Sequence, residues 1–201
     1  MTQNILKQLL VDADISCSDE QAKILFAYLE LLLKWNKAYN LSAINDFDKM
    51  MRLHIVDSAS LITFIKGDNI LDVGTGAGLP GLVLAILMPN SKFTLLDSNN
   101  KKIRFLRQCL LELPIDNVIL AHSRIEDFQA KYNYNSVICR AFSSVNNFVN
   151  VSKKFLASDG IILLMKAKLN ESISPLLKTR IHKISANNMT RQIVEIKNPD
   201  L

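Results

Sequence analysis

The chain has 201 residues (22.6 kDa), with 49% hydrophobic and 21% charged, a balance that excludes a disordered or low-complexity polypeptide. No apolar run approaches the ~18 residues of a membrane span. The opening Met-Thr-Gln-Asn lacks the regions of a signal peptide, and Cys17, Cys109 and Cys139 form an odd, dispersed set. A soluble, cytoplasmic protein is therefore expected, without a disulfide framework or zinc ribbon. The net charge is +5, unevenly spread: residues 1–60 carry six Lys/Arg against eight Asp/Glu, residues 61–167 twelve against eight, and residues 168–201 six against three. A basic excess favours phosphate-rich partners through counterion release. Many soluble proteins of similar pI bind no nucleic acid, so charge alone does not choose.

In chain order, residues 1–65 read as a helical cap. Ser18 and Gln21 have the form of a capping box, and Ile24, Leu25, Tyr28, Leu29, Leu31, Leu32 and Trp35 follow at helical spacing. Trp35 and Tyr39, at i and i+4, are expected as core anchors. A second periodic segment opens near Asp46 and carries Met50, Leu53, Ile55, Val56 and Leu61. From Gly67 the pattern changes to short apolar runs, 70–73, 93–96, 118–120, 137–139 and 161–165, which alternate with helical patterns near 79–88, 99–113 and 145–157. That alternation predicts βαβ units and a mainly parallel, doubly wound α/β sheet over residues 66–201. Residues 179–185 and 190–197 predict an antiparallel hairpin at its edge. Cap and sheet are expected to form one compact unit.

The most informative stretch is Asp72-Val73-Gly74-Thr75-Gly76-Ala77-Gly78, which follows a predicted strand and opens a helix. Gly74 suits a tight turn, Gly76 a close backbone approach to a ligand, and Gly78 close helix–strand packing. The next strand ends in Asp97, whose carboxylate can accept both hydroxyls of an adenosine ribose. NAD binding wants a helix N-terminus free to hold a pyrophosphate, normally through G-x-G-x-x-G. Here the spacing is G-x-G-x-G, and Asp72 precedes the first glycine. A carboxylate there suits a cationic amino-acid end, such as that of S-adenosylmethionine. A dinucleotide oxidoreductase is the second reading, with no Tyr-x-x-x-Lys pair to support it.

Gly-x-Gly-x-Gly after an acidic strand end resembles motif I of class I methyltransferases. The resemblance becomes specific with Trp35-Asn36-Lys37-Ala38-Tyr39-Asn40-Leu41-Ser42, His54-Ile55-Val56-Asp57-Ser58 and the run Ile70–Gly81. Leu95–Ser98, Lys102–Leu106, His122–Glu126 and Cys139–Phe142 extend it. Over roughly residues 20–168 the chain is similar to the bacterial ribosomal RNA small subunit methyltransferase G family, once called glucose-inhibited division protein B. The resemblance implies a Rossmann-like methyltransferase fold and methyl transfer from S-adenosylmethionine to N7 of one guanine in small-subunit (16S) ribosomal RNA. It also implies that Gly74 and Leu79 line the cofactor pocket, that Asp97 holds the ribose, and that Ile125 and Glu126 flank the adenine; Ser98 is a further expected cofactor-binding residue. Arg140, at the end of the fourth strand, is implied as a site residue and is counted with Asp72, Gly76 and Gly78 among the expected cofactor-binding residues. The sequence departs from the family at Leu53, where an Arg is usual, and at Lys166-Ala167, where Lys-Gly is frequent.

Guanine N7 carries a lone pair and no proton, so its methylation asks for positioning rather than a strong base. Arg140 is the candidate catalytic residue, able to donate to guanine O6, to clamp a phosphate, or simply to pair with an acid. Arg124 and Lys166, at strand-to-loop junctions, are candidate RNA contacts. Cys139 is read as a buried strand residue because no Pro-Cys partner motif occurs, Cys109 as core, and His54 as structural. No His/Cys/Asp/Glu set has metal-ligand spacing, so no metal is expected. Small-subunit ribosomal RNA or the small subunit is the expected partner, with no membrane, and the protein is expected to be monomeric. A small-molecule methyltransferase and a non-catalytic ribosome-assembly factor remain the alternatives.

Overall fold

The computed structural model describes residues 3–140, 142, 144–186 and 189–198. Its strands are β1 (Asn69–Val73), β2 (Lys92–Asp97), β3 (Val118–His122), β4 (Tyr134–Arg140), β5 (Leu156–Lys166), β6 (Thr179–Ala186) and β7 (Met189–Lys197). They form one seven-stranded sheet in the order β3-β2-β1-β4-β5-β7-β6. β1 to β5 run parallel; β7 is antiparallel to β5 and to β6, as the tail pattern predicts. The central strands have both faces buried, which explains why they read as unbroken apolar runs. Strand order reverses between β1 and β4, and open α/β sheets bind ligands outside the carboxyl ends of the strands at such a point.

The N-terminal residues fold as helices α1 (Gln3–Val11), α2 (Asp19–Tyr39), α3 (Phe47–Met50) and α4 (Asp57–Ala59). The Ser18–Gln21 capping box starts α2, and the Gln21 amide group also donates to Ile86 O and Leu87 O, both at 3.1 Å. One side chain thus satisfies the N-terminus of α2 and two end carbonyls of α5 (Gly81–Leu87). Leu25, Tyr28, Leu29 and Leu32 are fully buried in a core shared with α5 and α6 (Asn100–Glu112). A second core lies on the other sheet face, under α7 (Val145–Ser152).

The structure differs from the sequence expectation in two places. The helix expected over 145–157 ends at Ser152; a short 3₁₀ turn follows and β5 begins at Leu156. Leu156 pairs with Tyr134, and Ile161 pairs with Ser136, so the residues between form a bulge. Phe155 and Leu156 fall at helical spacing after Val149 and Ser152, and this hides the switch from a periodicity reading. The segment after Asp46 is also no simple helix, because a π-helical turn spans Met51–Val56. Within it Met51 is buried in the core and His54 lines a cavity beside the glycine turn.

Packing above β1 leaves no room at Gly81. A Cβ there would collide with the Leu95 side chain and lie 2.6 Å from Asp72 Oδ2. Gly81→Ala is expected to destabilise the protein by about 1–3 kcal/mol, the usual cost of overpacking, read as a lower urea midpoint with unchanged slope.

Candidate active site

The glycine turn after β1 holds its shape with its own hydrogen bonds. Gly74 N–H and Thr75 N–H donate to Leu96 O at 2.8 and 3.1 Å, and Gly78 and Leu79 N–H donate to Thr75 O. Gly76 N–H donates to Asp97 Oδ2 at 2.8 Å. From the cap, the fully buried Tyr28 hydroxyl donates to Ala77 O at 2.8 Å. Gly74 has φ +69°, and a Cβ there would point into open space. It is therefore Gly74, more than Gly76, that exposes bare backbone to a ligand. Gly78 serves packing: a Cβ there would lie 2.7 Å from Leu82 and 2.9 Å from Leu106.

Two cavities meet at Gly74. One, of about 210 Å³, is walled by Val73, Leu96, Ile125 and Phe142, with Asp97, Ser98, Ser123, Arg124 and Glu126 around it. Asp97 Oδ1 accepts Asn99 N–H at 2.8 Å while Oδ2 holds Gly76. A carboxylate has about four acceptor sites, so two remain for a pair of vicinal hydroxyls. The apolar walls beside it fit a flat aromatic base.

The other cavity, about 330 Å³, lies between the turn (Gly74–Ala77, Leu79) and the cap, represented by Leu41–Ile44 and His54; Lys102 and Arg140 complete it. Asn36 shapes this wall: it donates to Ser42 O at 2.8 Å and accepts Ser42 N–H at 2.7 Å. Ser42 Oγ in turn lies 2.8 Å from His54 Nε2. These contacts give the Trp35–Ser42 stretch a physical role. His54 is 4% exposed with Nδ1 unpartnered; burial first, and the Arg140 charge second, push its pKa down to about 4. Arg140 Nη1 approaches Leu53 O at 3.4 Å and Asp57 Oδ2 at 3.7 Å.

Two expected site residues sit elsewhere. Asp72 is fully buried beneath the turn and off both cavity walls, with Oδ2 accepting Gly81 N–H at 2.8 Å and Oδ1 unpartnered. Direct contact with a ligand's ammonium, as the sequence suggested, would need its burial broken. Burial raises its pKa to about 6. Lys166 is tied to Phe142 O at 2.7 Å and Glu171 Oε1 at 3.0 Å, joining the loops after β4 and β5. Ala141 of the Cys139–Phe142 stretch lies outside the described residues. The missed residues are Tyr28, Ser42, His54, Asp57 and Lys102. Four of them lie in the Trp35–Ser42, His54–Ser58 and Lys102–Leu106 motifs, and Tyr28 had only its helical spacing.

Elsewhere, Cys139 is buried in β4, where burial pushes its thiol pKa well up, so it is no ready nucleophile. A larger cavity of about 570 Å³ opens at the amino ends of the strands, where Lys66 pairs with Asp159 and His182 with Glu195. Among the described residues no group of three or more His, Cys, Asp or Glu could hold a metal ion, and no helix is long and apolar enough to cross a membrane.

His54 carries a pH signature. Its folded pKa lies below the ordinary 6.5, so unfolding takes up a proton and stability falls as pH drops from about 6.5 towards 4. Asp72, with a raised pKa, acts in the opposite direction, so the effect is best read as a difference between proteins. Between pH 7.5 and pH 5 the stability of the wild type relative to His54→Asn is expected to fall by about 2 kcal/mol in urea titrations. An unchanged difference would contradict the neutral, buried imidazole.

A family model described as rRNA small subunit methyltransferase G matches residues 21–198, further into the C-terminal hairpin than the motifs reach. A protein of Marinobacter nauticus named Ribosomal RNA small subunit methyltransferase G is 47% identical over 163 residues, covering 81% of this chain and 76% of that protein. One of the same name from Salmonella paratyphi B is 39% identical over 204 residues, covering 96% and 97%. Among solved structures, a SAM-dependent methyltransferase from Aquifex aeolicus superposes with TM-score 0.60 at 13% identity, covering 79% of this chain and 97% of its own. A putative O-methyltransferase from Klebsiella pneumoniae gives 0.61 at 13%, covering 98% and 95%. At such identity these two speak for the fold, and the sequence relatives speak for descent. The chain belongs to the ribosomal RNA small subunit methyltransferase G family.

Proposed function

We propose that this protein transfers a methyl group from S-adenosylmethionine to N7 of a specific guanine in small-subunit (16S) ribosomal RNA. The observation that carries the cofactor is the pair of cavities meeting at Gly74 over a turn five of whose amides, those of Gly74, Thr75, Gly76, Gly78 and Leu79, already bond within the protein. A diphosphate would find those donors taken, whereas a nucleoside joined to a short amino-acid arm matches one apolar slot and one polar chamber.

On this reading Asp97 and Ser98 hold the ribose, Ile125 and Glu126 flank the adenine, and Gly74, Gly76 and Leu79 line the arm. Gly78 and Asp72 support the turn from beneath, and the unpartnered Asp72 oxygen adds negative potential below a cationic ligand. When bound, S-adenosylmethionine supplies an electrophilic sulfonium methyl. N7 has no proton to lose, and the site offers no strong base: His54 is held neutral with a low pKa, and the Cys139 thiol is raised. The protein's contribution is orientation, which can supply ~7–11 kcal/mol of a barrier. Arg140, at the rim of the larger chamber, is read as the donor to guanine O6, leaving the N7 lone pair free. Arg124, exposed beside the ribose site, is read as an RNA contact, and Lys166 as the tether that shapes the loops RNA meets.

Residues 1–65 are read as a cap that completes the chamber, because Leu41–Ile44 and His54 form one wall. The protein is inferred to be cytoplasmic and monomeric. Its three cysteines are free, and its exposed large apolar residues, such as Val11, Leu111 and Leu176, are spread along the chain.

The test is transfer of a labelled methyl to small-subunit ribosomal RNA lacking the modification, supplied naked and as subunits, with the nucleoside identified after digestion. Label is expected in 7-methylguanosine. Label in another nucleoside would refute the atom, and label in neither RNA form would refute the substrate.

A further inference from the structure

Asp57 is among the most buried carboxylates of the protein, with its side chain 4% exposed, and it belongs to the cap, not to the sheet. Its backbone N–H is held by Arg52 O and His54 O at the end of the π-helical turn, so the carboxylate projects from a fixed origin. Two arginines meet it. Arg191 Nε, from β7, donates to Oδ1 at 2.8 Å, while Arg140 Nη1, from β4, lies 3.7 Å from Oδ2. β5 separates these two strands in the sheet, so one buried carboxylate ties the cap to both sides of β5.

We propose that Asp57 is the positioning residue of the active site, anchored by Arg191 on one oxygen and holding the Arg140 guanidinium at the rim of the crevice with the other. The inference rests on the reading of Arg140 as the group that orients guanine. Without the carboxylate, two half-buried guanidinium groups would face one another without compensation. Among the described residues, Arg140 would keep only its long, 3.4 Å contact to Leu53 O. The asymmetry of the two contacts suits this role. The short Arg191 bond fixes the carboxylate, and the longer Arg140 contact leaves that guanidinium able to donate to a base. A buried carboxylate stripped of one partner is costly, which favours keeping all three residues together. The C-terminal hairpin, remote in sequence, thereby acts on the site through Arg191.

The test is a double-mutant cycle of Asp57→Asn and Arg140→Lys, assayed for methyl transfer to small ribosomal subunits. The arginine Nε–Hε resonances of the ligand-free protein provide a second readout by NMR. Asp57→Asn is expected to lower kcat about tenfold to a hundredfold, the scale of a misplaced reacting group, and to shift the resonances of both Arg140 and Arg191. In the Arg140→Lys background it is expected to add less than about twofold. Arg191→Gln, which removes the more exposed anchor, covers the case where Asp57→Asn does not fold; it should lower kcat several-fold and shift the Arg140 resonance. If Arg140→Lys leaves turnover unchanged, the role given to Arg140 fails. If Arg140→Lys is impaired but Asp57→Asn, or Arg191→Gln in its place, is silent, additive, or leaves the Arg140 resonance unmoved, the positioning role alone is overturned.

Discussion

The hydrogen bonds inside the glycine turn fix what surrounds them. Leu96 O takes two of the turn's amides, Asp97 a third, and Thr75 O two more, so the turn is fastened to the end of β2 before any ligand arrives. Tyr28 fastens the same turn to the cap through Ala77 O. A fully buried phenol is stable only with its hydroxyl partnered, so α2 cannot slide without losing both burial and the bond. The cap wall, the chamber and the Asp97 carboxylate are therefore located relative to one element, and the crevice is preformed.

The charges follow from that arrangement. Three carboxylates are buried near the crevice, and each does something different there. Asp72 props α5, Asp97 bridges the turn, and Asp57 joins two arginines. The cations stand on the open side, with Arg140 and Lys102 at the chamber and Arg124 beside the smaller slot. His54 and Cys139, the groups that elsewhere serve as base or nucleophile, are held uncharged by burial. Such a site is suited to holding an electrophile and a lone pair in line, a reaction that asks little of proton transfer.

Much of this was legible in the sequence because it is local. The parallel strands announced themselves as apolar runs, the capping box of α2 as Ser18 and Gln21, and the turn as spaced glycines beside Asp97. What stayed hidden is tertiary. Asp57 and Arg191 are 134 positions apart, and no spacing rule joins them. The π-helical turn changes the phase of a helix without changing its composition, so His54 looked like one more residue on an apolar face. Nor does the sequence show on which side of the turn Asp72 lies: its position before the glycines suggests a ligand contact, and the strand carries its side chain beneath the turn. Nor does any spacing show the bond from Lys166 to Glu171, which lies in a loop of no recognisable pattern.

The central claim is that this turn, with five of its amides already used, takes a nucleoside bearing a cationic amino-acid arm and refuses a diphosphate. Calorimetric titration of the protein with S-adenosylhomocysteine and, separately, with NAD tests it most directly. Saturable one-to-one binding of the first, and no measurable heat from the second at millimolar concentration, is the predicted result. Binding of NAD as tight as that of S-adenosylhomocysteine, or no binding of the latter, would contradict the account.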